Sequence, residues 1–463
     1  MLYVPTRGDS PPKTFLQILL EGQAPGGGLY MPQSYPKLDL KSLRGKSYLD
    51  IADHVFALLA PDLPEEDRRV LIRKTYTAEI FGSEEITPLT KLEAGLYLLG
   101  LSNGPTLAFK DVPLQFLMNL NEYELEKTDD MLNIVVATSG DTGSAAAEAV
   151  RGKKRQRLFV LYPKGRTSEF QRRQMTTLDE PNIFALEVDA PFDHLQTMVK
   201  STFNDEWFKK ANRLGAANSI NWARIAAQSV YNIYAYLQAT ESDDQRVDFS
   251  VPTGNFGNAL SVHVARKMGL PVRHIIVATN ENDVIYQFFA TGVYEPRKVE
   301  DVVPTTSPSM DIAASSNIER MFFDETDRED GLLEFLWDEL KTKGSFDASF
   351  LLPKLSFEWK SGRATMADVE RTIKMIHEKY GVVIDPHTAV GMFVGLQCRS
   401  ERVPLIVDET AKAAKFEPVI QRVLNRKPDV PKRFEHLMEL PEHRHRIDAT
   451  PESLKKFIDG HAS

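Results

Sequence analysis

The chain has 463 residues, 42% apolar and 26% charged, and its 65 acidic against 56 basic side chains leave a net charge of −9. That length implies two or three domains rather than one core, and the acidic balance speaks against a nucleic-acid or anionic-membrane surface. The single cysteine, Cys398, excludes an intrachain disulfide and fits a reducing compartment.

The opening M-L-Y-V-P-T-R-G-D lacks a basic-then-apolar leader, and the longest apolar runs, such as 55–60, are too short to span a bilayer, so a cytoplasmic protein is expected. Residues 1–95 mix the cluster Gly26-Gly27-Gly28 with apolar residues spaced three and four apart over 14–20 and 48–59. This predicts a small, mostly helical N-terminal domain. The stretch P-T-L-A-F-K-D-V-P-L-Q-F-L at 105–117 follows, with Lys110 and Asp111 inside an apolar run. A desolvated lysine amine loses its charge readily, and the uncharged amine is the form that attacks an aldehyde to give a Schiff base. A lone lysine in such a stretch more often snorkels its ammonium to water, so a cofactor site elsewhere is needed to favour catalysis.

From residue 133 strand and helix alternate. The pattern predicts strands over 134–137, 158–162 and 183–188, helices over 144–151 and 168–177, and a long helix over 226–237. A second unit of the same kind has a strand at 247–251, a glycine loop, a helix at 259–268 and a strand at 274–279. Parallel sheets covered by helices are implied. Residues 295–370 are less regular, with a helix near 332–340, and read as an insertion that could close over a substrate. D-P-H-T at 385–388 returns to the earlier style, 405–407 is a short strand, and the tail beyond Lys427 is polar and uninformative.

Two loops stand at strand ends. In G-N-F-G-N, Gly254, Asn255, Phe256, Gly257 and Asn258 follow a strand and open a helix, where free backbone N–H groups and the helix dipole favour an anion. The loop lacks dinucleotide or Walker spacing, so one phosphate suits it better than a pyrophosphate, while a tight turn is the plainer alternative. In T-S-G-D-T-G, Ser139, Asp141 and Thr142 make a similar nest that also serves as an ordinary helix cap. N-S-I-N-W-A-R at 218–224 brings Asn218, Ser219 and Arg224 together, and the planar guanidinium suits a phosphate dianion. The ten histidines show no metal-ligand spacing, so no metal is expected. One lysine in an apolar setting and two anion loops fit pyridoxal 5′-phosphate, which needs an amine for its aldehyde and a cradle for its phosphate.

As an ordered set, P-T-L-A-F-K-D around Lys110, A-T-S-G-D-T-G at 137–143, Y-P-K-G-R at 162–166, N-S-I-N-W-A-R-I at 218–225 and G-N-F-G-N at 254–258 resemble the longer form of the threonine synthase family. T-R-G at 6–8, S-P-S-M-D-I at 307–312 and S-S-N-I-E-R at 315–320 share the resemblance. It implies a fold type II pyridoxal-phosphate enzyme, α/β and like the tryptophan synthase β subunit, with helices on both faces of parallel sheets. Its expected domains are 1–95, a large cofactor-binding domain from 96–127 and 240–463, and a small α/β domain at 128–239. The implied activity is a lyase of threonine biosynthesis, converting O-phosphohomoserine and water to threonine and phosphate. The implied partner is that small-molecule substrate, with the chain working as a monomer or homodimer.

By that resemblance Lys110 holds the cofactor and shuttles protons, and Gly254 to Asn258 cradle the cofactor phosphate. Asp141 faces the cofactor's 3′ oxygen and Thr410 its pyridine nitrogen. Ser139 lies in a loop suited to the substrate carboxylate, while Thr142, Asn218, Ser219 and Arg224 hold the substrate phosphate. Two positions depart from the family pattern. T-A-K-A-A-K-F at 410–416 has Lys412 and Ala413 where histidine and proline are usual, and Gly26 replaces an aspartate. These departures leave as the alternative reading a related lyase that eliminates phosphate from the same substrate, or a similar one, and releases an oxo acid.

Overall fold

The computed structural model describes residues 1–329 and 331–462, which form two compact units. Residues 1–103 with 219–428 make the larger and 104–218 with 429–463 the smaller.

In the larger unit a six-stranded sheet runs in the order Trp359–Arg363, Val272–Thr279, Val247–Pro252, Leu405–Glu409, Leu96–Gly100, Leu89–Glu93. Every pairing is parallel except the last. Strands Val247–Pro252 and Leu405–Glu409 are buried along their whole length, so the polar residues of V-D-F-S-V-P and L-I-V-D-E lie inside with the apolar ones instead of facing solvent. Helix Pro386–Cys398 covers four of these strands. Helix Trp222–Ala239 is buried almost end to end and packs on helices Gly257–Lys267 and Tyr48–Leu59.

The smaller unit holds a five-stranded parallel sheet in the order His445–Ile447, Ile183–Val188, Gln156–Pro163, Leu132–Ala137, Leu214–Gly215. Its core joins Val135, Phe159, Leu161, Leu186 and Val188 to Leu195 and Met198 of helix Phe192–Asn204.

The compact units cut the chain at other places than the expected domains. Residues 1–95 are mostly helical as predicted, with a short antiparallel pair, Tyr3–Pro5 and Tyr30–Pro32. They share one core with the larger unit, since the Tyr3 ring packs tilted against Trp222 at 5.6 Å and the Tyr48 ring edge-to-face against Tyr234 at 5.4 Å. Helix Asp111–Thr128 falls in the smaller unit, where Glu122 accepts the backbone N–H of Lys154 at 2.8 Å and the Gln156 amide at 2.9 Å. Residues 295–370 are not an insertion: Trp359–Arg363 is an edge strand of the main sheet, and Trp359 stacks on Phe256 at 5.4 Å. The polar tail also does more than its sequence signals. It supplies strand His445–Ile447 and helix Pro451–Asp459, whose Leu454 and Ile458 are buried in the smaller unit's core.

Candidate active site

In the smaller unit Lys110 stands immediately before helix Asp111–Thr128, in a turn fixed by its neighbour. The buried Asp111 accepts the backbone N–H of Thr106 at 2.8 Å and its hydroxyl at 2.7 Å, and the Gln174 amide holds the Thr106 carbonyl at 3.0 Å. Asp111 is thus spent on the turn. The Lys110 side chain is only 13% exposed, and its Nζ lies 3.7 Å from Oδ2 of Asp141, itself 5% exposed.

Asp141 opens helix Asp141–Val150, and its Oδ1 accepts the Gln171 amide at 2.8 Å. Thr138 accepts the backbone N–H of Gly140 at 3.0 Å and of Gly143 at 2.9 Å, so the nest is shaped by a hydroxyl behind it. Gly140 has φ +152°, and a Cβ there would meet the Gln171 side chain at 2.5 Å. Both reasons call for glycine. Ser139 and Thr142 remain partly exposed and Asn218 is exposed.

In the larger unit strand Val247–Pro252 runs into Gly254 to Phe256, and helix Gly257–Lys267 starts there. Phe256 is buried and takes a left-handed backbone, φ 64°, with its ring fixed against Trp359. A Cβ on Gly254 would meet the Ser309 carbonyl oxygen at 3.0 Å, so the loop lies directly on S-P-S-M-D-I. Ser315 donates to the Gly254 carbonyl at 3.0 Å, and Asn317 donates to the Asn255 carbonyl twice, through its backbone N–H at 3.1 Å and its amide at 3.0 Å. With those carbonyls turned outward, the N–H edge stays available for an anion.

Ser219 joins this group, 3.1 Å from the Ser316 hydroxyl and accepting the Asn317 amide at 3.2 Å. Arg224 sits in the first turn of helix Trp222–Ala239, wholly buried, and burial pushes its guanidinium down to about 10. The Asn258 side chain is committed elsewhere, accepting the Tyr231 hydroxyl and donating to Asp408 at 2.8 Å. Only its backbone is left for a phosphate. Burial raises the Asp408 carboxyl to about 7. Two residues on, the Thr410 backbone N–H donates to Thr388 at 3.2 Å, and Thr388 donates to the buried Asp385. D-P-H-T is therefore the buttress behind Thr410.

Both departures from the family pattern have local explanations. Gly26 has φ +86°, where glycine fits at least as well as aspartate. The Lys412 ammonium donates to Glu409 at 2.6 Å, and Glu409 also accepts the Ser102 hydroxyl at 3.1 Å.

Three kinds of residue escaped the sequence reading. Gln171, Asn317 and Asp385 hold site residues rather than ligands, and an amide or N-cap of that kind carries no motif of its own. Asn317 had a signal, since S-S-N-I-E-R was among the matching stretches. Among the described residues His263, Glu325 and Glu358 have ligand atoms within 4.8 Å of one another. Their carboxylates already face Arg266, Lys267 and Lys354.

Comparison with known proteins bears on this geometry. Residues 2–76 match the model of the threonine synthase N terminus, 80–334 that of pyridoxal-phosphate dependent enzymes and 388–458 that of the threonine synthase C-terminal region. A threonine synthase of Methylobacillus glycogenes is 46% identical over 100% of both chains, and one of Corynebacterium glutamicum 44% identical over 99% of this chain and 98% of its own. The chain belongs to the threonine synthase family of pyridoxal-phosphate-dependent enzymes. The crystal structure of the PLP-bound threonine synthase of Brucella melitensis superposes with TM-score 0.95 at 38% identity, covering 100% of this chain and 99% of that one.

The residues present fit that cofactor. A glycine loop whose outward carbonyls are held opens a helix, as a single phosphate requires, and a largely buried lysine beside a carboxylate provides the amine. Among the described residues no helix is long and apolar enough to cross a membrane.

Proposed function

We propose that this chain converts O-phosphohomoserine and water to L-threonine and phosphate. The observation that carries the reading is Lys110 beside Asp141 in a chain matched from end to end by threonine synthases.

Pyridoxal phosphate, when bound, supplies an electron sink for charge developing at the substrate's α carbon. Lys110 is the base and acid that moves protons at the α and β carbons, its amine largely buried and 3.7 Å from Asp141. Asp141, oriented by Gln171, would serve the cofactor's 3′ oxygen. Gly254, Asn255, Phe256, Gly257 and Asn258 would hold the cofactor phosphate through backbone N–H groups. Thr410, its backbone fixed by Thr388, would serve the pyridine nitrogen. Ser139 serves the substrate carboxylate. Thr142, Asn218, Ser219 and Arg224 hold the substrate phosphate, where a guanidinium stabilises the charge that builds as phosphate leaves the γ carbon. The enzyme works in the cytoplasm, as a monomer or homodimer.

The test is to supply O-phosphohomoserine to the purified holoenzyme and assay phosphate, threonine and 2-oxobutyrate together. Phosphate matched by threonine is the expected result. Phosphate matched by 2-oxobutyrate would make the enzyme a phosphate-eliminating lyase and direct attention to Lys412 and Ala413. No phosphate at all would overturn the substrate.

A further inference from the structure

Arg320 has no exposed surface, yet every hydrogen bond it makes among the described residues goes to a neutral oxygen. Its Nε donates to the Tyr30 carbonyl at 3.1 Å, one terminal nitrogen to the Asn317 side-chain carbonyl at 2.6 Å and the other to the Ile220 carbonyl at 2.7 Å. The guanidinium lies 5.6 Å from the Trp222 ring centroid. A buried cation costs free energy unless its surroundings compensate, and burial lowers this one to about 9. The neighbouring Glu319 is engaged by Thr6 and Arg7.

The identity of the acceptors indicates what the cation does. By taking the Asn317 Oδ1, Arg320 fixes the amide so that Nδ2 points at the Asn255 carbonyl and the Ser219 hydroxyl. By taking the Ile220 carbonyl it holds the residue next to Ser219. One rigid fork therefore braces both the glycine loop and the N-S-I-N segment. A lysine, with one flexible nitrogen, could not hold both carbonyls in a fixed relation.

We propose that Arg320 is a positioning residue for two phosphate sites, acting on the cofactor loop through Asn317 and on the substrate-phosphate segment through Ile220. The second half rests on the substrate reading above, and the first half does not.

The test uses full-length Arg320→Lys, Asn317→Ala and the double variant. Circular dichroism checks the fold, and the measured quantities are pyridoxal-phosphate affinity of the stripped enzyme, the ³¹P resonance of the bound cofactor, and KM and kcat for O-phosphohomoserine. Folded Arg320→Lys should bind cofactor about tenfold more weakly and show a displaced resonance, with KM raised about tenfold and kcat changed far less. Asn317→Ala should weaken the cofactor similarly, and the double variant should lose little more than either single, because both act by one route. Unchanged affinity and resonance in folded Arg320→Lys, or losses that simply multiply in the double variant, would overturn the proposal. If Arg320→Lys does not fold, Asn317→Ala decides, and unchanged cofactor affinity there sinks it. A wild-type chain that ignores O-phosphohomoserine would remove the substrate reading and leave the cofactor measurements to judge Arg320.

Discussion

Asp408 accepts the Nδ2–H of Asn258 at 2.8 Å with its carboxyl entirely buried, placing a desolvated acid behind the glycine loop. Burial raises this group from 3.8 to about 7. Below about pH 4 folded and unfolded chains both hold the proton; between about pH 4 and 7 only the folded chain does, so stability falls as pH rises and levels off above 7. The cost at high pH is roughly 4 kcal/mol at most. Asp408→Asn should remove it. Denaturant midpoints should show the variant gaining on wild type from about pH 4 to 7 and holding the advantage above; a constant difference across that range would refute the assignment.

Lys110→Ala should keep the fold, because the turn is held by Asp111 and Gln174 rather than by the lysine. Turnover should vanish, and borohydride should no longer fix cofactor to the chain, as judged by mass spectrometry. An active variant would reassign the base.

Gly254→Ala puts a Cβ 3.0 Å from the Ser309 carbonyl oxygen. The loop must shift by a few tenths of an ångström, and cofactor affinity should fall about tenfold, or about 1.4 kcal/mol. Fluorescence titration of the stripped enzyme reads this directly, and unchanged affinity would mean that the loop does not set the phosphate's place.

Lys412→His restores the usual family residue at a position where the present side chain bonds Glu409. Since Ser102 also holds Glu409, kcat should change less than about threefold. A shift in the ratio of threonine to 2-oxobutyrate would instead give Lys412 a part in the reaction's outcome.

Leu454→Ala tests the tail. Leu454 is fully buried in the smaller unit, so the substitution should cost about 2–5 kcal/mol and lower the thermal midpoint by several degrees. A loss below about 0.5 kcal/mol would mean that the tail is not part of that core.

What could be read in advance was local. Strand Ile183–Val188 and helix Tyr48–Leu59 coincide with their predicted spans, because the spacing of apolar residues is a property of neighbours in sequence. The glycine loops were legible because backbone conformation restricts the residue type. The edge strand His445–Ile447 was not, since its residues are largely exposed and carry no alternation; its place follows from pairing with Ile183–Val188. The role of Gln171, and of Asn317 beyond its place in S-S-N-I-E-R, was hidden for a related reason: an amide gains its role from a partner far along the chain. The unit boundaries were missed because aromatic contacts such as Tyr3 with Trp222 join segments that composition keeps apart.

The smaller unit closes its sheet with His445–Ile447, after residues 219–428 have been spent on the larger one. On the ribosome, Ile183–Val188 therefore emerges long before its neighbour and presents a bare edge while the intervening sequence is made. Vectorial synthesis thus gives this chain a window of aggregation risk in which either a chaperone or an interim pairing has to shield that strand.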